Sequence, residues 1–210
     1  MWSEHQFVRR AVVLGSAVVY WAGVWAQARR VRKHTGRSPN VRPRGTKETL
    51  LWAGWIVVVL LWLALPFVAQ DNTATAGLRL ATSLLNPLSL VSGIAMIAAG
   101  YAGTLWCYGA MGDAWRMGVN RTETTKLITR GPYQLVRHPI YLFQVFILLG
   151  VALLLPTVLS LAIVGLHLVC VLAKAADEES YLLAAHGGAC RDYFSRTGKL
   201  LPKWIGRKHN

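Results

Sequence analysis

Four long apolar runs alternate with polar segments along the chain. Each of the first three has roughly the 20 residues needed to cross a hydrocarbon core about 30 Å thick. They lie at residues 8–28, 50–69 and 88–108. The fourth run, residues 140–173, is too long for one crossing, and Pro156 lies near its middle. Because proline interrupts helices, we predict a hairpin of two shorter spans, 140–155 and 157–173, and about five transmembrane helices in all.

Composition agrees with an all-α integral membrane protein. Of the 210 residues 54% are hydrophobic and only 15% are charged, and nine are tryptophan. This balance differs from that of soluble domains. The net charge of +14 would suit nucleic acid, but the basic residues lie beside the apolar runs and form no separate basic domain. We therefore expect contact with the lipid bilayer and no nucleic-acid partner, and the sequence leaves the oligomeric state unknown.

The Lys and Arg residues are distributed unevenly between the two ends of the predicted spans. Twenty of the 23 fall in residues 29–49, residues 109–139 and the tail from residue 174. Only Arg9, Arg10 and Arg79 fall on the other side. Basic residues concentrate in cytoplasmic segments of membrane proteins. This asymmetry predicts that the N-terminus lies outside and that the C-terminus and the three basic segments are cytoplasmic.

The first group of candidate functional residues precedes the fourth run, in the stretch "RGPYQLVRHPIYLFQ". It presents an aromatic ring at Tyr133, a permanent cation at Arg137 and a titratable ring at His138. Pro139 is suited to the first turn of a helix, so we predict that span four starts there. The free N–H groups at such a helix start favour anions.

The second group follows span five, in "KAADEESYLLAAHGGACRDYFSRTGKLLP", which contains four of the nine carboxylates. Lys174 and Glu178 are four residues apart, so on a helix they share a face. We expect residues 187–188, both glycine, to end this helix. The tail is then expected to fold back on the site with Tyr193, Arg196 and Lys203.

Together these two segments and their spacing resemble the isoprenylcysteine carboxyl methyltransferase family and its relatives, the phospholipid N-methyltransferases. The likeness rests on "GPYQLVRHPIY" followed by a two-span hairpin and "EESYLLAAHGGACRDYFSR", and it covers residues 105–202. It implies an S-adenosylmethionine-dependent methyltransferase with a lipophilic acceptor. It also implies a cytoplasmic cofactor pocket formed by the last two spans and the tail, with residues 1–104 as N-terminal membrane helices and residues 105–210 as the methyltransferase core.

Site residues are carried over from the resemblance by position. The implied cofactor contacts are Thr125, Lys126, Leu127, Ile128, Tyr133, His138, Pro139, Ile140, Tyr141 and Glu178. The implied reaction residues are Lys174, Arg137 and Glu179. Lys174 stands where the family has a substrate-facing arginine, and it keeps the charge without the bidentate fork. Two further departures from the family pattern are His186 in place of phenylalanine and Cys190 in place of tyrosine.

The acceptor stays open among three classes: an isoprenylcysteine carboxylate, which the resemblance favours, a phospholipid amine and a small thiol. A carboxylate or thiolate needs no general base, whereas an amine must first lose a proton, for which His138 and Glu179 are candidates. Physically, Glu178 suits the cofactor amine, and Tyr133, Leu127, Ile128 and Tyr141 offer apolar walls for adenine.

Other functions are also compatible with parts of the sequence. A membrane reductase of the steroid 5-alpha-reductase type shares a similar RHPxY-like segment and would use NADPH, but the EExxL pattern argues against it. A non-enzymatic scaffold would not need an acidic pair facing a cation at the end of a span. The three cysteines lack the spacing of a zinc site, so we predict no metal. His167 lies inside span five, where it is either a packing residue or a functional one.

Overall fold

A computed structural model of the protein describes residues 4–40, 43, 45–71, 74–118 and 127–203. Within these ranges the chain forms five α-helices and no β-strand. The helices are α1 (Glu4–Thr35), α2 (Gly45–Val68), α3 (Pro87–Met111), α4 (Pro139–Leu154) and α5 (Val158–Arg196). Short 3-10 helices lie between them, at Ala76–Leu78, Thr82–Leu84, Gly112–Ala114 and Gly131–Gln134.

Four of the described helices, α1, α2, α3 and α5, are long and apolar enough to cross a membrane. The fifth, α4, has only 16 residues. Large apolar side chains such as Leu60, Leu88 and Val169 are exposed on the outer faces. Contiguous apolar surface of this kind is expected where a protein meets lipid. The architecture is that of an all-helical integral membrane protein, as predicted.

The predicted hairpin in the fourth apolar run is confirmed by a break at Pro156. Helix α4 ends at Leu154 and α5 begins at Val158. Thr157 caps the new helix, because its hydroxyl accepts a hydrogen bond from the Ser160 backbone N–H at 2.9 Å. The Ser160 hydroxyl in turn accepts from the Thr157 backbone N–H at 3.1 Å. Proline at the break and a reciprocal cap after it explain why one apolar run makes two helices.

The prediction that residues 187–188 end a helix is confirmed in part, because the backbone at Gly187 is not helical and a second helical segment follows it. Helix α5 is bent at Gly187, where φ is 52° and ψ is −119°, and then continues to Arg196. Glycine accommodates this positive φ because it has no Cβ. The part beyond the bend docks through the Tyr193 hydroxyl, which donates to the Tyr133 carbonyl oxygen at 2.7 Å. The glycine therefore redirects the helix toward the segment before α4.

Helices α3 and α4 pack as a close antiparallel pair at small residues. A Cβ on Gly150 would lie 2.6 Å from the carbonyl oxygen of Gly93, and one on Gly100 would lie 2.7 Å from that of Phe143. Such distances leave no room for a larger side chain. Small residues allow helix backbones to approach closely within a membrane. This pair therefore fixes the start of α4 beside the end of α3.

The segments that follow α1 and α3 meet the distal part of α5 at one end of the helices, which we call the site end. The Met117 backbone N–H donates to the Pro39 carbonyl oxygen at 2.9 Å. Lys47, in the first turn of α2, forms an ion pair with Asp177 of α5 at 2.6 Å. The described parts of the three basic segments thus share one end, as the predicted five-span order requires. The side of the membrane that this end faces stays a prediction.

Candidate functional site

A cavity of about 480 Å³ lies at the site end. Its volume is within the range of roughly 300 to 1,000 Å³ that is typical of small-molecule sites. The α4, α5 and tail residues expected from the sequence form only part of its wall. Residues of α1, α2, the end of α3 and the loops after α1 and α3 also line it. The aromatic and apolar ones include Tyr20, Val24, Leu51, Trp52, Trp55, Tyr108 and Trp115. The predicted pocket of the last two spans and the tail is therefore enclosed by the first helices as well.

The residues before α4 are held in place by the C-terminal tail. The backbone N–H of Arg137 donates to the Gly198 carbonyl oxygen at 2.8 Å, and that of His138 donates to the Lys199 carbonyl oxygen at 3.1 Å. His138 is the residue directly before the first turn of α4, which starts at Pro139 as predicted. These bonds fix the position from which the His138 side chain projects.

The His138 ring lies between two consecutive carboxylates of α5. Its Nδ1 is 3.3 Å from Glu178 Oε2, and its Nε2 is 3.2 Å from Glu179 Oε1. The ring also stacks on Tyr141, with 5.6 Å between ring centroids. Burial disfavours the charged imidazolium, but the hydrogen bonds with Glu178 and Glu179 outweigh it and raise the pKa of His138 above its ordinary value. A protonated ring donates to both carboxylates and so orients them.

Glu178 lines the cavity, and its predicted neighbours surround it. The Tyr141 hydroxyl donates to Glu178 Oε1 at 2.7 Å. Lys174, one helical turn earlier, also lines the cavity. An anion and a cation therefore stand on the same wall, as the four-residue spacing predicted. The arrangement offers a carboxylate for a bound amine and a separate ammonium for a bound anion.

Glu179 faces other partners. It forms ion pairs with Arg137, at 2.9 Å between Nε and Oε1, and with Lys199, at 3.2 Å between Nζ and Oε2. It is absent from the described residues that line the cavity. Arg137 lines the cavity and also covers the Phe194 ring, with its Cζ 4.5 Å from the ring centroid. Of the three predicted reaction residues, Lys174 and Arg137 thus reach the cavity, whereas Glu179 lies behind His138.

The remaining predicted cofactor contacts divide into three groups. Leu127, Ile128, Tyr133 and Ile140 line the cavity with His138, Tyr141 and Glu178. Pro139 is fully buried and is not one of the described lining residues. Thr125 and Lys126 lie outside the described residues. The two further departures from the family pattern, His186 and Cys190, do not belong to the described cavity wall either.

Sequence reasoning missed the contribution of α1 and α2 and the role of Lys199. From the sequence alone, Trp52 and Trp55 are expected to lie at the membrane–water interface, where tryptophan is enriched. Nothing in their local pattern indicates that they face a cavity of ligand size. The predicted return of the tail is observed at Tyr193, which lines the cavity. Lys203 instead donates to the carbonyl oxygens of Phe194 and Ser195, both at 2.9 Å, and Arg196 bonds within its own helix, to Asp192 O at 3.2 Å.

The part of the chain that matches a known protein family contains α3, α4 and most of α5. Residues 88–188 match the phospholipid methyltransferase family. This match confirms, over almost half of the chain, the family resemblance that we inferred from the two sequence segments. The match begins at the start of α3 and ends at the bend of α5. It includes His138, Glu178 and Lys174, and it supports a membrane methyltransferase.

Two curated proteins are also similar to this chain. One is the nickel-cobalt-cadmium resistance protein NccN of Alcaligenes xylosoxydans xylosoxydans, 24% identical over 73% of this chain and 63% of its own length. The other is the cobalt-zinc-cadmium resistance protein CzcN of Cupriavidus metallidurans, 24% identical over 57% of this chain and 51% of its own length. The chain thus spans between half and two thirds of these relatives. Their names describe resistance to metals and identify no methyl acceptor.

Proposed function

We propose that the protein is an S-adenosylmethionine-dependent methyltransferase that acts on a lipophilic, membrane-embedded acceptor, and that the cavity at the site end is its active site. The observation that carries the proposal is the shared cavity wall of Glu178 and Lys174, which lies inside the segment that matches the methyltransferase family. We further propose that residues 105–210 form the methyltransferase core. Residues 1–104 supply the aromatic wall of α1 and α2.

The residues of the cavity suit the chemical groups of the cofactor. Glu178 offers a carboxylate for its amine, and Arg116 offers a cation for its carboxylate. Leu127, Ile128 and Tyr133 offer apolar and aromatic surface for the adenine ring. Bound S-adenosylmethionine supplies an electrophilic methyl group on a sulfonium. Holding the acceptor in line with that group is the main task left to the protein, and positioning of this kind is worth roughly 7 to 11 kcal/mol of the barrier.

The acceptor that the geometry supports best is one that carries its own negative charge, such as the carboxylate of an isoprenylated cysteine. Neither candidate for proton removal is suited to that task. His138 has a raised pKa between two carboxylates, so its charged form is favoured, and Glu179 is engaged by Arg137 and Lys199. Lys174 meanwhile offers a cation beside the methyl donor site. An acceptor that is already anionic needs only this positioning.

A phospholipid amine is the second candidate, because the matching family model is that of the phospholipid methyltransferases. The two can be separated with purified protein and S-adenosylmethionine labelled at its methyl group. One acceptor is an S-prenylated cysteine with a free carboxylate, its control is the same compound as the amide, and the other acceptor is a phosphatidylethanolamine vesicle. We expect label in the free acid alone, released as methanol by alkali. Alkali-stable label in the lipid supports the amine, and no label in any acceptor contradicts both.

We also propose that the site end faces the cytoplasm, as the distribution of basic residues predicts. Ser38→Cys at the site end and Ala74→Cys at the opposite end both replace exposed residues. The three native cysteines are buried, so they give little background. In sealed right-side-out vesicles, an impermeant thiol reagent should modify Cys at position 74 and spare position 38. The reverse pattern contradicts the orientation without affecting the proposed chemistry.

A further inference from the structure

A small recess of about 20 Å³ lies between the helices beyond the inner end of the cavity. Three residues, Tyr20, Trp55 and Gln144, line both spaces, so the recess adjoins the cavity. Its other walls include Trp62 and His167. These two residues lie further along their helices from the site end than Trp55 and Lys174 do. The recess is therefore inside the membrane-crossing part of the protein.

His167 gives this recess its chemical character. The residue is 2% exposed, and among the described residues neither ring nitrogen has a hydrogen-bond partner. A neutral imidazole carries one N–H donor and one acceptor nitrogen. Leaving both without a partner inside a helix bundle surrounded by lipid is unfavourable, because no bulk water is available to replace them. An ionisable residue at this depth is expected to have a specific partner.

Other polar atoms around the recess are likewise buried without a hydrogen-bond partner among the described residues. Among the described residues, Gln144 Oε1, Trp21 Nε1 and Trp62 Nε1 are also buried without a hydrogen-bond partner. The Gln144 amide nitrogen does have one, since it donates to the Tyr20 hydroxyl. The unmatched set thus contains two indole N–H donors, one amide oxygen acceptor and the two nitrogens of His167. A cation would not suit the indole donors, and an acyl chain would satisfy none of these atoms.

A water molecule suits both the size and the chemistry of the recess. Water donates two hydrogen bonds and accepts two, which matches a mixed set of donors and acceptors. A cavity holds one water when it offers about 10 to 15 Å³ and two to four polar partners. We propose that the recess is an intramembrane water-binding site in which one ordered water bridges His167 and Gln144. The water keeps Gln144 against Tyr20 and so supports the inner end of the cavity.

A double-mutant cycle on the thermal unfolding midpoint of the purified protein tests the bridge. If water joins the two side chains, His167→Leu should lower the midpoint by roughly 2 to 4 °C. The double variant with Gln144→Leu should fall no further than the lower of the two single variants, because the shared bridge is lost once. His167→Gln, which keeps a donor and an acceptor, should retain most of the wild-type midpoint. A dry recess predicts the opposite: His167→Leu raises the midpoint, because it removes a buried polar group that has no partner.

A matched control uses Thr104, which is buried in α3 and donates to the Gly100 carbonyl oxygen of its own helix at 2.8 Å. Thr104 does not line the recess, so Thr104→Val and His167→Leu should have additive effects. A high-resolution map of the wild-type protein gives a direct test that does not depend on folding of the variants. Density for one water within hydrogen-bond distance of His167 and Gln144 supports the proposal. An empty recess, or an acyl chain in it, overturns the proposal.

Discussion

Both ends of the helix bundle hold cationic side chains, but these side chains have different partners at the two ends. At the site end Arg137 pairs with the Glu179 carboxylate at 2.9 Å and borders a large cavity. At the opposite end, which we call the arginine end, Arg9 and Arg10 of α1 are 4% and 3% exposed. There Arg9 donates to the Asn86 carbonyl oxygen at 2.6 Å, and Arg10 donates to that of Ala69 at 2.7 Å.

The difference between the ends indicates the role of each cation. The last carbonyl groups of a helix have no partner within the helix. Arg9 also contacts the carbonyl oxygens of Leu153 and Leu154 at the end of α4, and Arg10 contacts that of Pro66 near the end of α2. The arginine end is therefore a structural clamp that joins α1 to two helix ends. At the site end the cations meet the side-chain carboxylates of Glu178 and Glu179, and Glu178 lines the cavity where a ligand can reach it.

The largest effect should follow from breaking the clamp. Arg10→Met leaves the Pro66 and Ala69 carbonyl oxygens without their charged donor, and each such bond is worth about 1.5 to 3 kcal/mol. A loss of about 3 kcal/mol corresponds to a fall of roughly 6 to 12 °C in the thermal midpoint. S-adenosylmethionine affinity of the folded fraction should be unchanged, as measured by calorimetry below the transition.

Arg79 provides the matched control for this prediction. It also lies at the arginine end, but it is exposed. Arg79→Met should therefore change the midpoint by less than about 2 °C, since surface substitutions are usually worth under about 0.5 kcal/mol. Equal destabilisation by the two substitutions would contradict a clamp that depends on the contacts of Arg10.

At the site end, Glu178→Gln should weaken S-adenosylmethionine binding about tenfold or more. Glu178 lines the cavity, and a hydrogen bond to a charged group is worth about 1.5 to 3 kcal/mol. Glu179→Gln is the control, because Glu179 adjoins it in sequence but binds Arg137 and Lys199 instead. Titration calorimetry on both variants measures the two affinities. A greater loss for Glu179→Gln would mean that the cofactor carboxylate is assigned to the wrong residue.

Lys174→Met should reduce turnover by roughly fivefold while leaving cofactor affinity nearly intact, because we assign the Lys174 charge to an anionic acceptor. The factor follows from the value of a solvent-accessible ion pair, which is about 1 kcal/mol at most. Lys174→Arg should keep or raise activity on a carboxylate, which a planar guanidinium binds in bidentate fashion. Lys47→Met is the control at the mouth of the site, since Lys47 is mostly exposed and pairs with Asp177.

The outcome of these lysine variants also separates the acceptor classes. With an amine acceptor, a cation at position 174 repels the protonated substrate, so Lys174→Met should raise turnover. Loss of cofactor binding in Lys174→Met would instead assign Lys174 to the cofactor pocket and contradict the division of the site between Lys174 and Glu178. Initial rates and calorimetric affinities, measured on the same preparations, distinguish these results.

The smallest expected effect is a pH dependence of stability at the site end. The folded-state pKa of His138 is raised, with Glu178 and Glu179 favouring the charged ring over the effect of burial. Its stabilising contribution is therefore fully present below the ordinary pKa near 6.5 and is lost as pH rises through the folded value. The thermal midpoint of the wild type, relative to His138→Gln, should fall across that window. If the difference in thermal midpoint between the wild type and His138→Gln stays constant or grows with pH, the assigned pairing of a charged His138 with Glu178 and Glu179 is contradicted.

Much of the fold could be read from the sequence, because local rules decide it. Apolar runs give the helices, Pro156 separates α4 from α5, and Pro139 starts α4. The interruption at Gly187 was predicted, but the helical segment beyond it was not. A glycine pair commonly ends a helix, and only the docking of Tyr193 onto Tyr133 gives the chain a reason to continue as helix beyond it.

The sequence by itself determined the membrane class, the helices and the pairing of Lys174 with Glu178, because composition, apolar run length and helical spacing are properties of a single segment. Tertiary structure alone decided that Arg9 and Arg10 clamp helix ends, that Trp52 and Trp55 border the cavity, and that Glu179 lies behind His138. The physical reason is the same in each case. Helical periodicity fixes which side chains share a face, but only the packing of separate helices determines what that face meets.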